Sequence, residues 1–433
     1  MILFDAHLLI FYLNGAICSR SMDFGGQQIG GSLPFSVYLG INQIYVPMTF
    51  SSIFLSLALF AAGDPPQFEE QTIDDQVEIG YGLAIGDVDG DGKPDILMAD
   101  KKQFVWYRNG DWERFVMVDN LTEYDNVCIA ARDINGDGLV EVAVGAQWNP
   151  SETADPDKSG SVHYLIRPED PTQPWTPVEL HHEPTIHRMR WVKAGDNNYQ
   201  LIVLPLHGRG NQNGEGAGVK VIAYEKPEDP RQAWRHSTID SSMHLTHNLE
   251  LVPDGTGEKL LIGGKEGVKA FSFNGGKWRP APTGAWLVDN RSFGEIRIAD
   301  AGDARFLAGI EPMHGNILSV HTFPKSNTSP ERSVLTSEFN QGHALATGDL
   351  LGNGTHEIVA GWRNPDKDGK VGVKLFTASD QENPSWEAHW IDDNGMACED
   401  LVLADLDGDG RLDIIAAGRA THNLKIYWNK NSK

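Results

Sequence analysis

Basic residues and cysteines are scarce in this sequence, and each shortage argues against a class of protein. The chain has 36 lysines and arginines against 60 aspartates and glutamates, a formal net charge of −24. Nucleic-acid phosphates need a basic surface, so we expect no nucleic-acid partner. The three cysteines, Cys18, Cys128 and Cys398, form no CxxC pair. The sequence therefore indicates neither a zinc knuckle nor a disulfide framework.

Several common catalytic and membrane signatures are also missing. We find no GxSxG nucleophile elbow, no HExxH zinc motif and no glycine-rich phosphate loop leading from a strand into a helix. No uninterrupted apolar run approaches the roughly 20 residues that a transmembrane helix needs. We therefore expect no stable membrane span, and we predict a monomer.

Residues 1–63 differ from the rest of the chain. They contain one basic residue, Arg20, and apolar runs that follow no repeat. Met48 opens MTFSSIFLSLALFAAG, a plausible signal-peptide core ending in small residues. We predict that residues 1–63 are a leader, with translation starting at Met48, and that residues 64–433 form an exported periplasmic or extracellular domain. A membrane anchor is the alternative.

An acidic, glycine-containing loop between two short apolar runs is the best-defined motif. In IGDVDGDGKPDILMAD, carboxylates alternate with small residues, and the glycines permit a tight turn. Calcium takes six to eight oxygen ligands, and such a loop supplies them. We predict three structural calcium sites. Their ligands are Asp87, Asp89, Asp91, Lys93 (carbonyl) and Asp95; Asp133, Asn135, Asp137, Leu139 (carbonyl) and Glu141; and Asp405, Asp407, Asp409, Arg411 (carbonyl) and Asp413.

A weaker copy of the loop has Asp349, Asn353 and Glu357, but Leu351 stands where a ligand is expected. Three further units keep the strand pattern without the acidic loop, beginning near His187, His247 and Gly294. The spacing of roughly 45 to 60 residues is typical of four-stranded propeller blades. We predict an all-β, seven-bladed β-propeller with calcium-binding loops. The last unit lacks a fourth strand, and we expect residues 68–74 to supply it.

One face of this ring concentrates histidine and arginine. The starts of first strands and the ends of second strands lie opposite the acidic loops, around the central channel, where ligands bind in propellers. Six of the 15 histidines fall there. We predict catalytic roles for Tyr81, Arg188, His207, His314, His343, Arg363, Arg419 and His422, and a transition-metal site at His187 and His247.

The acidic loops resemble the FG-GAP, or VCBS-type, repeats of extracellular calcium-binding propellers. The order of units and the ending GRATHNLKIYWN are similar to the propeller part of the aldos-2-ulose dehydratase family. That resemblance implies a lyase that removes water from an oxidised sugar.

Three functions stay open at this point. The first is a lyase on an oxidised sugar or uronide. A histidine or Tyr81 would take a proton, a metal such as Zn²⁺ or an arginine would hold the enolate oxygen, and His314 would act as the acid. His343 or an acidic rim residue would complete the metal site. The second is a non-catalytic propeller that binds glycan or protein. The third is a glycosidase using Glu295 and Glu399.

Overall fold

We describe the fold from a computed structural model of the chain. It covers residues 65–431, except for 197, 282–287, 302–303, 324–329 and 379–384. The predicted leader, with its predicted export signal, lies outside the described residues. Within the described part of the chain, no helix is long and apolar enough to cross a membrane.

The described residues form seven antiparallel sheets. Six consist of strands that follow one another in the chain, and the seventh combines the last three strands with the first. The first strands of successive sheets contact each other in cyclic order, and the first strand of the last sheet contacts that of the first sheet. The sheets therefore form a closed ring around a central channel. The prediction of a seven-bladed, four-stranded propeller is confirmed.

The strands are short, and both faces of most of them are buried, because each blade packs between two neighbours. The N-terminal part of the ring contains β1 (Phe68–Asp74), β2 (Gly82–Gly86), β3 (Asp95–Ala99), β4 (Gln103–Tyr107), β5 (Arg114–Asp119), β6 (Cys128–Arg132), β7 (Glu141–Ala146), β8 (Ser161–Ile166), β9 (Thr176–Leu180), β10 (Ile186–Lys193), β11 (Tyr199–Pro205), β12 (Val221–Glu225) and β13 (Arg235–Asp240).

The C-terminal part continues in the same way. It contains β14 (Thr246–Asp254), β15 (Gly257–Gly264), β16 (Gly267–Asn274), β17 (Lys277–Pro280), β18 (Val288–Asp289), β19 (Ile296–Ala301), β20 (Ala304–Glu311), β21 (Ile317–Phe323), β22 (Glu331–Thr336), β23 (Gly342–Gly348), β24 (Glu357–Trp362), β25 (Gly372–Ala378), β26 (Trp386–Asp393), β27 (Cys398–Ala404), β28 (Asp413–Gly418) and β29 (Asn423–Asn429).

Blades one to six begin at β2, β6, β10, β14, β19 and β23, and blade seven combines β27, β28 and β29 with β1. In blade four, β17 and β18 both pair with β16, so the outer strand there has two parts.

The ring is closed by the N-terminal strand of the described chain. β1 runs antiparallel to β29, with Phe68 opposite Asn429 and Asp74 opposite Leu424. Phe68 also packs against the apolar cluster between blades six and seven. The prediction that residues 68–74 supply the missing fourth strand is confirmed. Blade seven therefore exposes no unpaired β29 edge.

Tryptophans near the outer strands pack between blades, as expected from their positions. Trp175 of blade two, 4% exposed, shares an apolar cluster with Leu97 and Trp106 of blade one. Trp234 and Trp386 pack against equivalent clusters in later blades. Removing one such ring typically costs about 3–5 kcal/mol, so these residues hold neighbouring blades together.

We predict that deleting residues 65–76 leaves β29 unpaired and makes the protein aggregate, because an exposed strand edge can pair with another chain. Size-exclusion chromatography and thermal melting will measure this. A synthetic peptide of residues 65–76 added during refolding should restore monomer and melting temperature, whereas a scrambled peptide should not. Unchanged melting and solubility of the deletion variant would contradict the assigned closure.

Candidate functional site

Three histidines meet at the channel, on the face opposite the acidic loops. One nitrogen from each of His247, His314 and His343 lies within 4.8 Å of the other two. The Nε2 atoms of His247 and His314 are 2.8 Å apart, and the ring centroids of His314 and His343 are 4.8 Å apart. Three imidazoles on one point are a ligand set for zinc and other transition metals.

The fold brings these side chains from three consecutive blades. His247 is near the start of β14 and His343 near the start of β23, where inner strands approach the channel. His314 follows β20 and has a left-handed backbone, with φ of 52°. Such a backbone is costly for a residue other than glycine and clusters at functional sites. Gln147, Thr185, Gln341 and His422 adopt the same conformation on this face.

Polar groups lie close to Nδ1 of each ring. His343 Nδ1 donates to the Glu399 carbonyl at 2.5 Å, and His247 Nδ1 lies 3.2 Å from Glu295 Oε1. A partner at Nδ1 leaves Nε2 available as a ligand, the arrangement common around protein metals. His314 has its Nδ1 3.4 Å from a nitrogen of Arg363.

The three rings are neutral near neutral pH. Burial lowers the pKa of His247, and it lowers the pKa of His343 well below its usual value. Burial, with His247 and Arg363 nearby, lowers the pKa of His314 to about 2. Metal binding requires neutral imidazole, so these rings need release no proton to coordinate an ion.

Glu295 sits behind the cluster and holds a charge. Burial alone would raise its pKa, but His247, Arg297 and Arg188 outweigh burial and lower the pKa to about 2. Asn248 Nδ2 also donates to its Oε2. Glu295 thus carries a buried negative charge beside His247, which suits an orienting carboxylate. From the sequence alone, Glu295 is instead a candidate catalytic carboxylate of a glycosidase.

The rim arginines are engaged by carboxylates of the same rim. Arg363 donates to both oxygens of Glu399 at 3.0 Å and to Gln341 at 2.9 Å. Arg419 donates to Glu399 Oε1 at 3.0 Å and lies over the Tyr81 ring. Glu399 therefore binds two guanidinium groups and is not positioned as a free catalytic acid.

Tyr81 is a poor proton acceptor in this setting. Its hydroxyl donates to Asp125 Oδ2 at 3.1 Å, and burial together with that carboxylate raises the pKa of the phenol. Arg188 lies on the same side of the channel, with Nη1 3.3 Å from the Tyr81 carbonyl and Nη2 3.9 Å from Glu295.

The other predicted histidines lie outside this group of three. His187, in β10, packs 4.5 Å from the His247 ring and donates from Nδ1 to the His247 carbonyl at 2.9 Å. His187 contacts the group of three histidines but does not belong to it. The third member of the group is His314. His207 contacts Thr185, and His422 donates to the Val77 carbonyl at 2.9 Å. Sequence reasoning missed Asp125, Asn248 and Gln341, because no motif marks them.

The acidic loops lie on the opposite face, between first and second strands. Carboxylate oxygens of Asp87, Asp89 and Asp95 lie within 4.8 Å of one another, as do those of Asp405, Asp407 and Asp413. Asp87 accepts hydrogen bonds from the amides of Gly90 and Gly92, both with positive φ. These groups are oxygen donors on a tight turn, so they fit calcium.

Two loop aspartates instead face cations of their own loops. Asp91 pairs with Lys93 at 3.3 Å, and Asp409 pairs with Arg411. In the second loop, Asn135 Nδ2 donates to Glu141 at 2.7 Å. The weaker copy keeps Glu357 buried, where it accepts from the Leu350 amide at 2.8 Å.

Comparisons with known proteins concern the family and the fold. The family model described as aldos-2-ulose dehydratase, beta-propeller domain, matches residues 159–324, and the FG-GAP-like repeat model matches residues 82–144. A curated relative, aldos-2-ulose dehydratase of Phanerodontia chrysosporium, is 26% identical over 249 residues, covering 52% of this chain. The chain resembles the aldos-2-ulose dehydratase propeller. It matches 27% of the length of that dehydratase.

The first of these matches contains the cluster residues His247 and His314, together with Glu295, whereas His343 lies beyond it. Solved structures share the fold at low identity. Two crystal structures of BBS1N in complex with ARL6DN, soaked with lead and with mercury, give TM-scores of 0.53 at 10% and 11% identity. They cover 85% and 84% of this chain, and 98% and 97% of their own. At that identity the likeness to them concerns the fold alone.

We predict that excess chelator lowers the melting temperature, because an ion that binds only the folded state stabilises it by about 2.7 kcal/mol at one hundred times its Kd. Asp89→Ala should remove part of this calcium-dependent shift. Asp196→Ala, in the equivalent connection of blade three, should not. Calorimetry with and without calcium measures both variants. A melting curve that is the same in calcium and in chelator would contradict structural calcium.

Proposed function

We propose that this protein is a metal-dependent lyase that removes water from an oxidised, uncharged sugar at the histidine cluster. The observation that carries the proposal is the convergence of His247, His314 and His343 on one point of the channel. The similarity to the aldos-2-ulose dehydratase propeller supports this reaction class.

The donor set fits a divalent transition metal such as zinc. His247, His314 and His343 would be its ligands, leaving a coordination position for substrate oxygen, as in catalytic zinc sites. Their rings are neutral. His343 Nδ1 donates to the Glu399 carbonyl, and His247 Nδ1 lies 3.2 Å from the Glu295 carboxylate. When bound, the metal would act as a Lewis acid that stabilises negative charge on a carbonyl oxygen. Calcium is proposed only for the opposite face, where it would have a structural role.

The protein's own residues would handle the proton. Removal of water breaks a C–H bond next to the carbonyl and a C–O bond at the next carbon, and it forms a carbon–carbon double bond. His187 is suited to accept the first proton, because its Nδ1–H is committed to the His247 carbonyl and its Nε2 keeps the lone pair. Burial holds it neutral by lowering its pKa. Protonated His187 would then return this proton to the leaving hydroxyl, which departs as water.

The charges of the rim favour an uncharged substrate over a uronide. A carboxylate on the sugar would need a cation with free donors. Arg363 and Arg419 both donate to Glu399. Arg188 Nη2 has no hydrogen-bond partner among the described residues, but its charge is balanced by buried Glu295 at 3.9 Å. A second carboxylate would therefore compete with Glu399 for the same guanidinium groups. Neutral keto-sugars meet no such competition.

A second candidate is binding of a glycan without catalysis. The observation in its favour is that the matched region makes up 27% of the length of the curated dehydratase. The activity of that enzyme could depend on other parts of its chain. Export to the periplasm or outside the cell, inferred from residues 48–63, is part of either proposal.

We predict that His247→Ala and His343→Ala each abolish binding of zinc and any formation of unsaturated product from neutral keto-sugars, since each removes one of three ligands. Metal analysis and ultraviolet absorbance measure the two effects. His236→Ala, on the exposed outer strand β13, should change neither. Both variants should keep calcium-dependent melting. Full metal content with full activity in either cluster variant would contradict the site, and activity without metal would contradict the metal role.

We also predict that Glu295→Gln weakens zinc binding by about 10–100-fold, the usual effect of removing an orienting carboxylate. The amide keeps the shape but loses the charge beside His247. Excess zinc should restore occupancy and much of the activity, which a misfolded site would not allow. Zinc titration measures the affinity, with Glu331→Gln on the exposed strand β22 as control. Unchanged affinity would show that Glu295 does not orient His247.

A further inference from the structure

A second pocket lies between blades one and two, on the same face as the histidine cluster. We call it the side pocket. Its volume is about 320 Å³, within the range of small-ligand sites. Ser161 and His163 of β8, Glu179 of β9, and Gln147, Asp157 and His182 from nearby connections line it. Leu165, two positions beyond His163 in β8, packs into the apolar cluster shared with blade one. Alternate residues of a strand point to the same side of the sheet, so the side chains of Ser161 and His163 also point towards blade one.

Two deeply buried polar atoms of the side pocket have no hydrogen-bond partner within the described part of the chain. They are the hydroxyl of Ser161 and Nε2 of His163, whose residues are 5% and 7% exposed. Leaving such groups unpaired is costly, so they are expected to have a partner in the working protein. The polar groups of an open cleft of about 790 Å³ beside β1 are, by contrast, already paired. Tyr107 and Arg114 there both contact Asp74.

The charges of the side pocket limit what it can bind. Glu123, Asp157 and Glu179 are carboxylates in its lining, and none of its lining residues is a lysine or arginine. An anion would therefore be repelled. Burial, with a smaller contribution from His182, lowers the pKa of His163 to about 4, so this ring is neutral at neutral pH.

A preformed metal site does not explain the pocket. Although His182 Nε2 lies 3.8 Å from Glu179 Oε1, His163 forms no group of three close ligand atoms with them, among the residues that the structure describes. What remains is a set of hydroxyl, amide, imidazole and carboxylate groups that together can donate and accept hydrogen bonds. Sugar hydroxyls, which do both, match this set.

We propose that the side pocket binds an uncharged sugar of monosaccharide size, held by Ser161 and His163 at its base and by carboxylates at its mouth. Adjacent hydroxyls of the sugar would donate to carboxylates such as Glu179 and Asp157. The buried Ser161 hydroxyl and His163 nitrogen would gain the partners they lack. This site is separate from the histidine cluster and does not depend on the proposed lyase activity.

Isothermal titration and saturation-transfer NMR of the full chain test this with D-glucose, D-galactose, D-mannose and D-glucuronate as probes. We expect at least one neutral sugar to bind and glucuronate to bind more weakly. Ser161→Ala and His163→Leu should each weaken binding at least about tenfold, the effect of losing a hydrogen bond to a buried group. Ser237→Ala on the exposed strand β13 should leave binding unchanged.

Melting supplies an independent readout. If Ser161 and His163 have no partner in the free protein, replacing them with apolar residues should leave its melting temperature unchanged or raise it. The proposal is overturned if no neutral sugar binds. It is also overturned if sugar binding survives both pocket variants, if glucuronate binds equally well, or if zinc alone binds through His163. A marked loss of melting temperature in Ser161→Ala would point to a structural role instead.

Discussion

The approach of seven inner strands to one axis is the constraint on which the site depends. Each blade contributes the start of its first strand to a narrow channel, so side chains there must share space with those of other blades. Apolar groups fill the space between blades, while the channel receives Arg188, Glu295 and the histidines. Burying charge is expensive unless it is paired, so the channel carries opposite charges in contact. The same low exposure keeps the imidazoles neutral, and neutral imidazoles can bind metal.

The two faces of the ring have different chemistry, because successive connections between the strands of a blade lie alternately on one face and on the other. First-to-second connections carry oxygen donors on glycine turns, whereas the opposite face carries nitrogen donors on strand ends. Hard cations prefer the first set and transition metals the second. An ion site and a reactive position can therefore lie on opposite faces of one ring without interfering with each other. Blades three to five, which lack the acidic loop, contribute His187, His247, Glu295 and His314 to the channel.

Much of the fold could be predicted from the sequence, and less of the site. Repeated loops flanked by apolar runs indicate blades, and an unmatched strand at each end indicates closure; both predictions are confirmed. His247 and His343 were placed on the rim by their strand positions. The place of His314 beside His247 depends on its left-handed backbone, which no pattern in the sequence marks. Glu295 looks like a free catalytic carboxylate in the sequence, because no pattern there shows that Arg297 and Asn248 of the inner strands are its partners. The side pocket depends on space between blades, which strand patterns do not encode.

The pairing of β1 with β29 also determines the order of events during synthesis. β1 is made before every other strand of the ring, and its partner is made after all of them. Blades one to six can form from local pairings as the chain emerges, but β1 has to wait for the last blade. Contacts between such distant segments are slow to form and leave a strand exposed meanwhile. Four of its seven residues are exposed in the finished ring, and two of those are glutamates, which helps to keep the waiting strand in solution.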